Sequence, residues 1–391
     1  MLDLNVDLGE LKRQMEYIEE HLMDCSSPQD SFICHQTYQA LADMYYAHTG
    51  IDIYSNKMRS NQTVVHLANE MLDDILSKGD QNFIRYRKTH TKMLFENYVM
   101  TTTLFDEFLK SDYYRKISNQ QISPVSGSSF EDLDLLLSYF KECAPELLEY
   151  YNTLNEQKLF FPLPKGDFFD IRGGITIFNS VENICSIFLN LNSISLDSFS
   201  SICHELGHAV DFFDYRTRFS AEKQGIDHYK SLYTEVISSY YEQQFLEYVL
   251  EHSSRKDEAL VQMANYFYQR LQYVWEAGVI SILPQEYISL AINGQISPMD
   301  AELILEEADI VSFSLNSDED NELFSFDDDV EYGYGFILAN WILDDKEKWG
   351  QFLNIRNGYF SPQKLESIGI FPETTAKQLT KKTEQYFGPY L

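Results

Sequence analysis

A chain of 391 residues with 44% hydrophobic and 15% aromatic content can bury a sizeable core, which excludes a disordered or fibrous class and allows one large or two intimate domains. Its 30 Lys+Arg against 61 Asp+Glu leave a formal net charge of −31, which repels phosphate backbones and anionic lipid heads. Neither nucleic acid nor a membrane surface is therefore expected as a partner, and neutral or basic ligands are favoured over acidic ones.

The opening stretch, MLDLNVDLGELKRQMEYIEEHL, has neither a basic n-region nor an apolar h-region, so it does not read as a secretory signal. No apolar run approaches the ~18 residues that span a bilayer. Cys25, Cys34, Cys143, Cys185 and Cys203 are widely spaced and form no C-x-x-C pair, which argues against a disulfide framework or a thiolate zinc site. Together these point to a reduced, soluble, cytoplasmic protein.

Most of the chain has helical periodicity. NQTVVHLANEMLDDILSKG (61–79) and FEDLDLLLSYFKECAPELLEYYNTLNEQ (130–157) space apolar residues at three and four, with acidic residues opposite. Three stretches break the pattern. ISNQQISPVSGSSF (117–130) reads as a loop. FFPLPKGDFFDIRGGITIFNS (160–180) carries two prolines, a Gly pair and the β-branched run Ile175-Thr176-Ile177, which predicts a short strand. NSDEDNELFSFDDDVEYGYG (316–335) is acidic, then rich in Tyr and Gly; lacking the EF-hand glycine, it reads as a solvated loop, or a lid over a site, rather than a calcium site. The predicted architecture is mainly α, with a small β-sheet beside the helix that contains SSICHELGHAVDFFDY (200–215).

That helix carries the chemistry. Ser195 is a candidate N-cap with Asp197 in the first turn, and Phe199, Ile202, Cys203, Leu206 and Val210 form one apolar stripe. At about 100° per residue, His204 and His208 share a face away from the stripe, so two imidazoles can converge on one ion. Glu205 lies about 100° round from His204, placed to reach a water on that ion rather than to ligate it. Catalytic zinc takes three protein ligands. Glu222, His228, Glu235 and Glu242 follow; spacing alone excludes neither Glu222 nor His228, but LYTEVISSYYEQQFLEYVLEH (232–252) is helical and ranks Glu235 first. Ser239, one turn on, and Glu242, two turns on, are then placed to orient the ligands. His21, His35, His48, His66, His90 and His252 have no partner pattern, and no G-x-S-x-G, P-loop or G-x-G-x-x-G occurs.

His204-Glu205-Leu206-Gly207-His208-Ala209 followed by Glu235-Val236-Ile237-Ser238 through Glu242 resembles the thimet oligopeptidase and oligoendopeptidase F family of zinc peptidases (gluzincins, HExxH…E). RGGITIFNS (172–180) resembles that family's edge strand along the substrate cleft, and EYGYGF (331–336) its C-terminal Tyr/Gly segment. The resemblance implies one Zn²⁺ per chain on His204, His208 and Glu235, with Glu205 as general base and Tyr332 and Tyr334 as donors to the oxyanion. It implies Gly173, Gly174, Ile175 and Thr176 as substrate-binding residues and short peptides as substrates. The fold it implies is a thermolysin-like zincin core with a small sheet, two helical lobes flanking a deep substrate channel. A helical N-terminal lobe over 1–125 and a catalytic domain over 126–391 would form one continuous unit. The chain is short on its N-terminal side relative to full-length members. Asp211, placed to support the ligands, stands where many members carry another histidine; Phe336 stands where a further tyrosine can occur, and no histidine accompanies Tyr332 and Tyr334. These departures motivate a second expectation, a zinc-containing peptide-binding protein with weakened turnover. The oligomeric state is left open.

Overall fold

The computed structural model describes residues 7–21, 28–55, 58, 101–120, 129–164, 173–190, 196–218, 232–279, 328–343, 345–355 and 362–391. In chain order the elements are α1 (Gly9–His21), α2 (Pro28–Thr49), α3 (Asp112–Gln120), α4 (Ser129–Glu142), α5 (Pro145–Glu156), β1 (Phe160–Pro162), β2 (Gly174–Asn179), β3 (Ile184–Leu189), α6 (Leu196–Arg218), α7 (Leu232–His252), α8 (Lys256–Val279), α9 (Asp328–Ile342), α10 (Lys346–Ile355), α11 (Pro362–Ser367) and α12 (Pro372–Phe387). Residues 101–110 are also helical. The fold is mainly α with one small sheet, and no described helix is long and apolar enough to cross a membrane.

Two compact units interleave along the chain: Met1–Ile75 with Gln121–Gln262 and Asn357–Tyr359, and Leu76–Gln120 with Met263–Arg356 and Phe360–Leu391. In the first unit the sheet order is β1-β3-β2, with β3 parallel to β1 and antiparallel to β2. The Ile175–Ile177 run does form a strand, and that strand lies at an edge of the sheet. Strand alternation sorts its side chains. Ile177 and Phe188 join Phe161 in a core with Leu11, Met15 and Ile18 of α1 and Tyr38 and Leu41 of α2, and Ile175 packs against it. Gln14 of α1 donates to Ser186 Oγ at 3.0 Å on the same face. The opposite face meets α6, where Phe178 stacks on Phe212 at 5.0 Å and Thr176 bonds Glu205.

α6 is therefore covered on more than its stripe. Phe199, Ile202, Cys203, Leu206 and Val210 are buried, each side chain contributing roughly 1.5–3 kcal/mol. His204, Glu205, His208 and Asp211 are buried as well. Where α6 crosses α7, a Cβ on Gly207 would lie 2.7 Å from Ser238 Cα, so glycine is what lets these helices touch backbone to backbone.

Three sequence expectations need correction. The periodic run 130–157 is two helices, because Pro145 at a helix start lacks the N–H needed to continue α4. The loop expected over 117–130 is helical at both described ends, Ile117–Gln120 and Ser129–Phe130. The Tyr/Gly stretch expected to interrupt helix is itself part of α9: the run Phe336–Ile342 that follows it buries Phe336, Ile337, Ala339 and Trp341, and packing overrides the low helix propensity of its glycines. The run 61–79, Ser195, and residues 316–327 of the acidic stretch lie outside the described residues. The second unit's core is aromatic, with Phe267 edge-on to Phe336 at 5.1 Å and Phe387 against Phe108 at 4.6 Å.

Candidate metal centre

One turn of α6 separates His204 from His208, and their Nε2 atoms approach to 3.2 Å. From α7, Glu235 brings Oε2 to 3.5 Å from His204 Nε2 and Oε1 to 3.4 Å from His208 Nε2. Ligand atoms from all three residues lie within 4.8 Å of one another, and all three residues are buried. A tetrahedral ion with bonds near 2.0–2.1 Å holds its ligands about 3.3 Å apart, which is the spacing seen here. The Gly207–Ser238 contact sets this distance, since it fixes how close α7 comes to α6.

The surrounding groups orient these atoms. His204 Nδ1 donates to Glu242 Oε2 at 3.0 Å, so in its neutral form the ring presents the Nε2 lone pair to His208 and Glu235. Ser238 Oγ donates to Glu235 Oε2 at 3.2 Å and to the Glu235 carbonyl at 3.1 Å. Ser239, the hydroxyl expected in that role, is buried, and its Oγ has no hydrogen-bond partner among the described residues. Ser238 escaped the sequence reading, although its position three after Glu235 puts it on the same helix face. Asp211 is buried one turn beyond His208.

Glu205 fills the space between the centre and the sheet. Its carboxyl is raised from 4.5 to about 7, first by burial and further by Glu235 and Glu242, while His204 and the Thr176 hydrogen bond pull it down. Burial pulls the His204 imidazole down, but Glu242, Glu235 and Glu205 outweigh it and leave it raised. Three carboxyl groups around two imidazoles in one buried cluster, with the two Nε2 atoms 3.2 Å apart, are well satisfied by a shared cation. The residues fit a divalent metal.

The remaining expected residues fall in different places. Gly173, at φ +126, adopts a backbone that favours glycine, and Gly174 and Thr176 face Glu205. Ile175 faces the α1–α2 core. Tyr332 belongs to the second unit, where its ring stacks on Tyr273 at 5.2 Å with the Arg270 guanidinium 5.1 Å above it. The side chain of Tyr334, and Glu222 and His228, lie outside the described residues.

No protein-family model matches the chain, and no curated protein matches it. Among solved structures it is similar to a crystal structure described as a "putative peptidase from Chlamydophila abortus", at 16% identity and a TM-score of 0.46, over 98% of this chain and 64% of that one. The chain thus spans less than two thirds of that structure's length. At this level of similarity the functional reading rests on the residues of the centre alone.

Proposed function

We propose that this chain is a zinc-dependent endopeptidase that hydrolyses internal bonds of short peptides. The observation that carries this reading is the buried convergence of His204 Nε2, His208 Nε2 and the Glu235 carboxylate beside an acid, Glu205, that is not needed as a ligand. Two imidazoles and one carboxylate match the donor set of catalytic zinc sites, which leave a position for water. When bound there, zinc supplies Lewis acidity toward a peptide carbonyl and lowers the pKa of water.

The chain's own residues do the rest. Glu205 accepts a proton from the attacking water and returns one to the leaving amine, work suited to a carboxyl lifted toward neutrality. Glu242 keeps the His204 lone pair on the centre, and Ser238 keeps one Glu235 oxygen there. The β2 edge offers backbone groups to an extended peptide, with sequence-tolerant affinity. A cytoplasmic location belongs to the same proposal.

The test is turnover of a panel of quenched oligopeptides by the zinc-loaded protein and its Glu205→Gln variant. The variant is expected to lose at least about 10²-fold in kcat with unchanged zinc content. Equal, near-zero turnover by both would overturn the enzyme reading in favour of a peptide-binding protein.

A further inference from the structure

We propose that Thr176 is a positioning residue, a hydroxyl clamp that fixes the rotamer of Glu205; this rests on the reading of Glu205 as the general base. The Thr176 hydroxyl lies 2.7 Å from Glu205 Oε2 and 3.1 Å from the Glu205 backbone carbonyl, so one side chain spans both ends of the residue it holds. The contact joins the edge strand to α6 across 29 positions of sequence. It is therefore a product of the fold rather than of local geometry.

Two residues back on the same strand face, Gly174 makes the other half of the clamp. A Cβ there would stand 2.6 Å from Glu205 Cγ and 3.0 Å from its Cδ. Gly174 thus leaves room for the stem of Glu205, and Thr176 takes hold of its head. With one oxygen committed to Thr176, the other is the one free to exchange protons with water. A glutamate has three rotatable bonds, and holding it in one arrangement spares the entropy of finding that arrangement in each cycle. Because the Thr176 side chain is engaged with Glu205 and Ile175 faces the α1–α2 core, β2 contributes its backbone rather than these side chains to any peptide laid along it.

The experiment compares Thr176→Val, which keeps the branched shape but removes the hydroxyl, with Thr176→Ser, which keeps the hydroxyl. On the zinc-loaded protein, Thr176→Val is expected to lower kcat about 10- to 100-fold, with KM within about twofold and zinc content unchanged. Thr176→Ser is expected to recover kcat to within about threefold of wild type. In a Glu205→Gln background, Thr176→Val should have no further effect on the residual rate. A Thr176→Val protein with wild-type kcat, or a Thr176→Ser protein that falls as far as Thr176→Val, overturns the proposal. If the wild type itself turns nothing over, the peptidase reading has failed, and the clamp is judged on the metal-free protein. There Thr176→Val should lower the melting temperature by about 2–5 °C and Thr176→Ser should not; an unchanged melting temperature in Thr176→Val overturns it.

Discussion

Glu205 illustrates how a site residue can work against the fold that holds it. In the metal-free protein its carboxyl is raised to about 7 by burial, against 4.5 in the open chain, so the native state binds more protons between those values. Stability contributed by this residue is therefore highest at low pH and falls as pH rises through roughly 4.5 to 7, by an amount on the order of 3 kcal/mol. The Glu205→Gln variant of the metal-free protein should melt higher than wild type at pH 8, with the gap closing toward pH 5; a gap independent of pH would contradict the assignment. Glu242 acts at one remove, through His204 Nδ1, and Glu242→Gln should weaken zinc binding about 10- to 100-fold, as read by competition with a chelator. At this scale helical spacing put His204 and His208 on one face and Glu235 and Glu242 on one face of a second helix, but it excluded neither Glu222 nor His228 as third ligand. It could not separate Ser238 from Ser239, because the choice depends on which way Glu235 turns at its helix crossing. Nor could it show that Thr176 reaches Glu205, because nothing local links a strand residue to a helix residue so far along the chain.

Elements place these residues through two close approaches. Gly207 lets α6 and α7 touch, and Gly174 lets β2 lie against Glu205. The two should fail differently when filled. In Gly207→Ala the new methyl meets backbone, 2.7 Å from Ser238 Cα, so α7 must retreat and carry Glu235 with it. A loss of about 1–3 kcal/mol in stability is expected together with weakened zinc binding. In Gly174→Ala the methyl meets the Glu205 stem at 2.6 Å and the Phe188 carbonyl at 2.8 Å, so kcat should fall while zinc is retained. Zinc loss in Gly174→Ala with retention in Gly207→Ala would contradict these two roles. The β2 strand was legible from its β-branched run, yet its partner β3 was not. ICSIFL is a short apolar run, and such a run serves equally as buried strand or buried helix until its neighbours are known. The start of α9 was misread for the opposite reason: its glycines and tyrosines look like loop, and only burial of Phe336 and the residues after it makes the helix pay.

At the scale of the whole molecule, the charge and the centre bear on different things. A net charge of −31 acts over the distances that govern encounter, and salt screens it. The kcat/KM for a lysine-rich peptide should drop as ionic strength rises from about 10 to 500 mM, while that for a neutral peptide of equal length stays within about twofold. A parallel response of both peptides would show that the charge plays no part in substrate capture. The first compact unit contains every residue of the candidate centre, so metal binding is a property of that unit's own packing. The compact units are built from segments that alternate along the chain, and periodicity carries no signal for that exchange. The central claim is that His204, His208 and Glu235 are ligands and Glu205 is not. The most direct measurement is zinc stoichiometry after dialysis for wild type, His204→Ala, His208→Ala, Glu235→Gln and Glu205→Gln. About one zinc per chain is expected in wild type and Glu205→Gln, and loss of it in the other three. Zinc kept by the histidine variants, or lost from Glu205→Gln as readily as from them, would contradict it.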